Sequence, residues 1–252
     1  MTIKELYDRF TLAYPKELSC SWDHDGLMVC PDLTAKVTGV LTTLDVTDAA
    51  IDRALAVGAN VIVSHHPFLF HPIGAVTPEQ PLGEKIVKLI RAGISVFSFH
   101  TRADAAIGGV NDILANTLGL ANVVVVGEEQ IMRVGTLERA YTPEELAQKI
   151  KAVLGTPTVI LASGGKPIRF LAVCGGESRS MAGVAKAGGA DALLIGRAGY
   201  HSALDGADDG ITIFEAGHFY TEVAITKAFA DIASHAVDVP VEIYAEPPVV
   251  VY

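Results

Sequence analysis

Short apolar runs alternate with helix-like segments along most of this chain, and this alternation is the feature that most limits how it can fold. Residues 37–44, 61–64, 94–99 and 171–174 read as buried strands, and segments with helical spacing separate them. Strands joined by helices of this length pair in parallel through right-handed crossovers. The pattern therefore predicts an α/β protein.

A weak internal repeat indicates how the chain is divided. Gly58-Ala59-Asn60 matches Gly189-Ala190-Asp191, and this alignment places Asp45 opposite Gly176 across a full strand–helix–strand unit. We expect two similar α/β lobes with mixed, largely parallel sheets. Residues 1–130 with 215–252 are predicted to form the first lobe, and residues 131–214 the second.

Composition excludes several classes of partner. Half of the 252 residues are hydrophobic, and the formal net charge of −10 argues against nonspecific binding to nucleic acid or to anionic membranes. No apolar stretch approaches the roughly 20 residues of a membrane span, and the polar start MTIKELYDRF is not expected to act as a secretory leader. The three cysteines form no CxxC pair, which predicts a reducing, cytoplasmic setting.

Metal-type ligands follow three of the predicted strands. His65 and His66 come directly after residues 61–64, and Asp104 follows the strand at 94–99. His218 and Glu222 follow residues 211–214 and, being four apart, share one face of a helix. Taken singly, each fragment has an ordinary structural explanation, such as a core histidine, a helix cap or a helix-surface pair. Their recurrence at strand ends favours a metal site.

The chemistry of these five ligands narrows the choice of metal. Imidazole combined with carboxylate suits zinc, iron or manganese better than calcium or magnesium. Five ligands are more than one catalytic zinc ion uses, whereas two divalent ions bridged by a carboxylate would use them all. His100 lies four residues before Asp104, where it serves either as a catalytic proton relay or as a structural histidine.

Six motifs resemble one known family over nearly the whole chain. They are WDHDGL (22–27), LDVT (44–47), SHHPF (64–68), HTRADA (100–105), GGVND (108–112) and GHFYTE (217–222). In order and spacing they are similar to the YbgI-like dinuclear metal-centre proteins, known as GTP cyclohydrolase 1 type 2 homologues. The resemblance implies the same five metal ligands, a metal site in the cleft between the two lobes, and a toroidal homohexamer.

The chain departs from the family pattern at two places. Around residue 196 the family usually has a Thr-Gly-Asp-like turn, but Arg197 replaces the carboxylate here. His24 stands where asparagine is common, as either a turn residue or a residue lining the substrate pocket. Arg102 and Arg197 are the best candidate anchors for an anionic substrate.

The leading hypothesis is a dinuclear metal-dependent hydrolase that acts on a nucleotide or a related phosphorylated compound through metal-activated hydroxide. The resemblance implies attack on C8 of the guanine ring of GTP, with release of formate. Two alternatives stay open at this point. The same centre suits a phosphoesterase, and the ligands alone also suit a non-enzymatic metal-binding regulatory or interaction protein.

Overall fold

The chain folds into two compact units. The computed structural model describes residues 1–177 and 181–250. The first unit comprises Met1–Ala103 and Ile225–Pro248, and the second comprises Asp104–Ala224 with the short segment 249–250. None of the helices in the described ranges has the length and apolar character needed to cross a bilayer.

Helices and strands alternate through most of the chain. The helices are α1 (Ile3–Ala13), α2 (Asp48–Ala56), α3 (Pro81–Ala92), α4 (Thr101–Ala105), α5 (Val110–Thr117), α6 (Pro143–Leu154), α7 (Met181–Ala187), α8 (Tyr200–Asp208), α9 (His218–Glu222) and α10 (Ile225–Ala236). The strands are β1 (Gly26–Val29), β2 (Val40–Thr43), β3 (Val61–Ser64), β4 (Ser95–Ser98), β5 (Ala121–Val126), β6 (Met132–Tyr141), β7 (Ile160–Ala162), β8 (Ile168–Glu177), β9 (Ala192–Arg197), β10 (Thr212–Glu215) and β11 (Val241–Tyr244).

The first unit contains a five-stranded sheet with the order β1-β4-β3-β2-β11. Strands β4, β3, β2 and β11 are parallel, and β1 is antiparallel to β4. Every residue of β2, β3 and β4 is buried, as expected for strands that helices cover on both faces. The register pairs Thr43 with Ser64 and Ser64 with Ser98, so these three strands end at the same level.

The second unit contains a six-stranded sheet with the order β5-β6-β8-β9-β10-β7. Its centre, β8-β9-β10, is parallel, while β5, β6 and β7 join through antiparallel pairs. Buried residues on the two faces of this sheet form two separate apolar clusters. The predicted fold class, α/β with two mixed sheets, is confirmed.

The two units share a local pattern. Each contains a β-α-β-α-β run, β2 to β4 in the first and β8 to β10 in the second. After α2 the amide of Ala59 donates to the carbonyl of Ala54, and after α7 the amide of Ala190 donates to that of Ala185. The sequence repeat thus marks a real structural similarity. The lobe boundaries predicted from the sequence, 1–130 with 215–252 and 131–214, stay a prediction. Strand β5, which falls within the first of these ranges, pairs with β6 in the second unit's sheet.

Several short elements were not predicted from the sequence. These are β1, α4, α8 and β11. The sequence predicts that the segment from Gly217 opens the last helix, but the structure divides it into α9 and α10 around Val223 and Ala224. The sequence also predicts a helix over 180–187, and its first residue, Ser180, lies outside the described residues.

Aromatic side chains form the centre of the first unit's core. Phe10 of α1 stacks on Phe99, with ring centroids 5.4 Å apart, and Phe229 of α10 contacts both of these rings edge-on. All three phenylalanines are fully buried. The cluster therefore packs α10 against the N-terminal helix α1 and against the end of β4.

Replacing Phe229 with alanine tests the contribution of this aromatic packing to stability. Because a large buried ring is lost and leaves a cavity, we expect the free energy of unfolding to fall by about 3–5 kcal/mol, measured by urea denaturation. Phe170 is 45% exposed in the second unit, and the matched change Phe170→Ala should cost clearly less. Equal losses in the two variants would contradict this account of the core.

The loop before β1 is fixed by two buried aspartates. Arg102 donates to both carboxylate oxygens of Asp25 at 2.8 Å and to the carbonyl of Tyr14. Asp23 accepts from the amide and hydroxyl of Thr101, and that hydroxyl in turn accepts from the amide of Cys20. Burial raises the pKa of Asp25, but hydrogen bonds from Arg102 and Lys16 outweigh it and hold this pKa below its ordinary value.

Replacing Asp25 with asparagine tests the buried ion pair. Arg102 would lose its counter-charge, so we expect the free energy of unfolding at neutral pH to fall by about 3–5 kcal/mol. Because the pKa of Asp25 is lowered on folding, its stabilisation is present above the ordinary aspartate pKa of 3.8 and is lost as the pH falls through the folded pKa. The variant should therefore lose stability less steeply than wild type in this acid range.

Denaturation across a pH series measures both effects. Asp8, which pairs with Lys4 on the surface of α1, supplies the matched control Asp8→Asn. This control should stay within about 0.5 kcal/mol of wild type because exposed ion pairs contribute little. An Asp25→Asn protein with wild-type stability and wild-type acid slope would show that the buried pair does not support the loop.

Candidate metal centre

Three histidines lie together at the carboxyl ends of β3 and β4 in the first unit. The ring centroids of His65 and His66 are 5.0 Å apart, and His100 lies 5.3 Å from His65 and 5.9 Å from His66. The sheet ladder continues past the strands, since His65 donates its amide to Thr43 and Phe99 donates to Ser64. Backbone pairing, rather than a free loop, therefore positions these rings.

Each of the three imidazoles has its Nδ1 atom next to an oxygen. The partners are the carbonyl of Phe99 for His65 at 3.0 Å, and carboxylate oxygens of Asp45 for His66 at 2.8 Å and of Asp23 for His100 at 3.0 Å. A carbonyl or an ionised carboxylate only accepts, so Nδ1 carries the proton in each ring. The Nε2 atom then carries the lone pair, and it is the atom that each ring would offer to an ion, as in metal-binding histidines.

Asp23 is suited to its place beside His100. Burial raises the pKa of this carboxyl, but hydrogen bonds from His100 and Thr101 together outweigh burial and hold the pKa well below its ordinary value. Asp23 is therefore ionised at neutral pH. A fixed negative charge at Nδ1 orients the His100 ring and increases the basicity of its Nε2 atom.

In the second unit, His218 and Glu222 form a pair on α9. The His218 Nε2 atom is 3.1 Å from a Glu222 carboxylate oxygen, and Glu222 is 4% exposed on its side chain. The helix follows Gly217, whose φ of 88° lies in the region that favours glycine. His218 and Glu222 thus share one face of a helix, as their spacing in the sequence predicts.

Glycines at the ends of β8 and β9 make room for this pair. A Cβ atom on Gly176 would lie 2.4 Å from a Glu222 carboxylate oxygen, and one on Gly196 would lie 2.9 Å from the Cα atom of His218. Real Cβ contacts are not this short. The second unit therefore has glycine where the first unit has Asp45 and His65.

Asp104 begins the second unit and is also buried. Its carbonyl accepts from the amide nitrogen of Asn111, whose side-chain oxygen accepts from Gly175. Burial raises the pKa of the Cys174 thiol, and the negative charges of Asp104 and Glu222 raise it further. Both carboxylates therefore act on one buried thiol, which stays protonated.

The donor set fits the metals expected from the sequence. The first unit offers imidazole nitrogens of fixed tautomer, and the second offers one imidazole and two carboxylates. This mixture of nitrogen and oxygen donors suits zinc, iron or manganese. The fit rests on the Nδ1 partners of the histidines, which set the orientation of each ring.

The other predicted site residues have varied surroundings. Arg102 is buried and bonded to Asp25 and Tyr14, so contact with a substrate would require those bonds to break. His24 is exposed in the loop before β1, and Arg197 is exposed at the end of β9. His100 lies beside His65 and His66, and this position is compatible with a role in proton transfer.

Sequence reasoning did not assign roles to Asp23, Asp45 and Lys85. The two aspartates lie within motifs that marked the family, which is the signal that could have found them. Lys85 of α3 lines a cavity of about 260 Å³ together with His66 and Asp45. Nothing in the helical pattern of α3 separates this lysine from its neighbours.

Known proteins resemble this chain in sequence and in fold. A curated protein of Clostridium perfringens, named GTP cyclohydrolase 1 type 2 homolog, is 32% identical over 235 residues, which cover 90% of this chain and 89% of that protein. A solved Bacillus cereus protein related to NIF3 superposes with a TM-score of 0.90 at 22% identity, covering 100% and 99% of the two chains. The solved protein ybgI gives a TM-score of 0.86 at 24% identity, covering 98% and 99%.

The model of one protein family matches residues 1–247 of this chain. That match spans both units and all of the motifs on which the resemblance rests. The chain belongs to the Duf34/NIF3 (NGG1p interacting factor 3) family.

Proposed function

We propose that the protein is a dinuclear metal-dependent hydrolase that acts on a nucleotide or a related phosphorylated compound. The observation that carries this proposal is the cluster of His65, His66 and His100, each with its Nδ1 atom engaged by an oxygen. Three imidazoles held side by side, each with an oxygen at Nδ1, favour metal binding over a purely structural role. Relatives named GTP cyclohydrolase 1 type 2 homolog support GTP as the first substrate to test.

The proposed ligands come from both units of the chain. His65 and His66 belong to the first unit, and Asp104, His218 and Glu222 belong to the second. We propose that they bind two divalent ions, with zinc, iron and manganese as candidates. Bound ions of this kind would supply a Lewis acid that lowers the pKa of water toward about 7.

His100 is the proposed proton relay. Its Nδ1 proton is held by Asp23, so only Nε2 is available to accept a proton from water or to return one to a leaving group. Because Asp23 is ionised, it also stabilises the imidazolium that forms when Nε2 is protonated. Ring opening of GTP, in which water adds to C8 and formate leaves, needs transfers of this kind.

The cavity beside His66 supports a phosphorylated substrate. Lys85 is the cationic side chain in its lining, with its Nζ atom 3.5 Å from the carbonyl of Val46, and it forms no ion pair with any described residue. A half-buried ammonium group without a counter-ion is suited to bind an anionic group. The exposed side chains of His24 and Arg197 stay candidate substrate contacts.

Two other functions have specific support. Paired ions also stabilise in-line displacement at phosphorus, so a phosphoesterase would use the same ligands and the same Lys85 cavity. The family description names an interacting factor, which favours a non-enzymatic metal-binding regulatory protein as the third candidate. Substrate turnover separates these three functions.

Assembly and location are part of the proposal. We propose a toroidal homohexamer, supported by strand β5, which lies at the edge of its sheet with Val123, Val124 and Val125 exposed. An exposed apolar edge strand is suited to cover by another copy of the chain. No disulfide joins Cys20, Cys30 and Cys174 in the described structure, which supports a reducing, cytoplasmic setting.

Metal content tests the ligand assignment. Elemental analysis of protein loaded with zinc or manganese should find two ions per chain, and fewer in His65→Gln and Glu222→Gln. Asp45→Asn removes the charge that orients His66, so it should weaken metal binding by about 10- to 100-fold. His235, which bonds within α10 and is exposed, supplies the control His235→Gln with wild-type content. Less than one ion per chain in the loaded wild type would contradict the centre.

Turnover tests the reaction. Metal-loaded protein is incubated with GTP and with a panel of phosphate esters, and formate and phosphate are measured. We expect formate from GTP, and His100→Gln should lower kcat by about 100- to 10,000-fold while the metal content is unchanged. Loss of metal in this variant would make His100 a ligand instead of a relay. No turnover on any substrate, with metal bound, would exclude both enzymatic functions.

A further inference from the structure

Three aromatic rings of the first unit form a corner beside the histidine cluster. Trp22 and Phe70 have ring centroids 6.5 Å apart, and His100 lies 6.2 Å from Trp22 and 6.1 Å from Phe70. The three ring planes are nearly perpendicular to one another, at 69°, 76° and 84°. Each ring thus packs edge-to-face on the others, and we call this set the aromatic corner.

The two apolar rings of the corner are turned partly to solvent. Trp22 is 50% exposed and Phe70 is 40% exposed. A single exposed apolar side chain is ordinary on a protein surface, but two large rings in contact leave a continuous apolar face. Burying such a face against a ligand releases ordered water and is favourable.

Hydrogen bonds on both sides of Trp22 hold the loop that carries it. On one side the amide of Cys20 donates to Thr101, and on the other Asp23 and Asp25 are held by Thr101, His100 and Arg102. Three of these bonds involve the carboxylates of Asp23 and Asp25, so moving the loop would leave charged groups without their partners. The backbone that carries the indole is therefore held in place, and little backbone entropy is lost when a ligand packs on the ring.

His100 connects the aromatic corner to the proposed chemistry. One side of its ring faces Trp22 and Phe70, while His65 and His66 lie 5.3 Å and 5.9 Å away. A ligand that packs on Trp22 and Phe70 would therefore lie next to His100 and close to His65 and His66. This proximity suits the part of a substrate that reacts, and it does not suit an apolar group far from the reacting atoms.

We propose that Trp22 and Phe70 form a stacking site for the planar heteroaromatic ring of the substrate, of the purine class. This proposal rests on the proposed function and names the part of the substrate that the protein recognises. A flat ring that stacks on one of the two faces meets the other side-on, which is the arrangement aromatic rings prefer. A protein partner would need a far larger patch than two side chains.

Intrinsic fluorescence tests the site directly, because Trp22 is the only tryptophan of the chain. The probes are guanosine monophosphate and, without a base, ribose 5-phosphate, each titrated into full-length protein with and without zinc. We expect guanosine monophosphate to quench or shift the emission of Trp22, and ribose 5-phosphate to leave it unchanged. The same response to both probes, or no response to either, would overturn the proposal.

Phe70→Leu provides the matched variant because it keeps an apolar side chain and removes the ring. Stacking of a base on one aromatic ring corresponds to about a 5- to 100-fold change in affinity, so the Kd for guanosine monophosphate should rise within that range. Phe170→Leu, at an exposed phenylalanine of the second unit, should leave the Kd unchanged. Thermal denaturation verifies that both variants are folded.

The outcomes separate this site from the proposed reaction. Quenching of Trp22 that depends on Phe70, without turnover of GTP, would support the stacking site and remove the hydrolase. Turnover of GTP with the same KM in wild type and Phe70→Leu would support the hydrolase and overturn the stacking site. Since binding is measured by emission and not by activity, neither result depends on the other.

Discussion

The in-register pairing of β2, β3 and β4 is the constraint on which the histidine cluster depends. Thr43, Ser64 and Ser98 lie side by side at the ends of the three strands. The hydroxyls of Ser64 and Ser98 are 2.8 Å apart, and Ser64 also donates to the carbonyl of His66. A shift of one strand by one residue would turn its side chains to the opposite face and separate the imidazoles. The position of the rings therefore follows from sheet register, which the buried apolar residues of these strands enforce.

The second unit uses the same succession of elements for a different purpose. In the first unit, Asp45 and His65 follow β2 and β3, whereas the corresponding ends of β8 and β9 carry Gly176 and Gly196. A side chain at either glycine would collide with Glu222 or with the backbone of His218. In the second unit the proposed ligands His218 and Glu222 lie on helix α9 instead of at the strand ends. Similar β-α-β-α-β runs can therefore present imidazoles from a sheet edge in one unit and a His–Glu pair from a helix in the other.

Local signals explain which elements the sequence predicted. The apolar strand β3 depends on neighbours in sequence, so its pattern was sufficient. The short strands β1 and β11 lie at the edges of the first unit's sheet, and β11 pairs with β2 some 200 residues earlier in the chain. No local pattern reports such a pairing. The roles of Asp23 and Asp45 were missed for the same reason, because their histidine partners are 77 and 21 residues away.

Arg102 has a structural role that its sequence motif does not report. The sequence predicts it as an anchor for an anionic substrate, and that role stays a prediction. Its side chain is 1% exposed and lies in the core of the first unit. There it holds Asp25, and through Asp25 it holds the loop that carries Trp22.

One carboxylate joins the proposed relay to the proposed stacking site. Asp23 accepts from the ring of His100 with one oxygen and from Thr101 with the other, and it is the residue next to Trp22. The position of the indole and the tautomer of His100 are therefore fixed by the same group. A displacement of this loop would disturb both together, because Asp23 cannot leave His100 without carrying Trp22 with it. The proposed recognition of a substrate ring and the proposed proton transfer thus depend on one short segment.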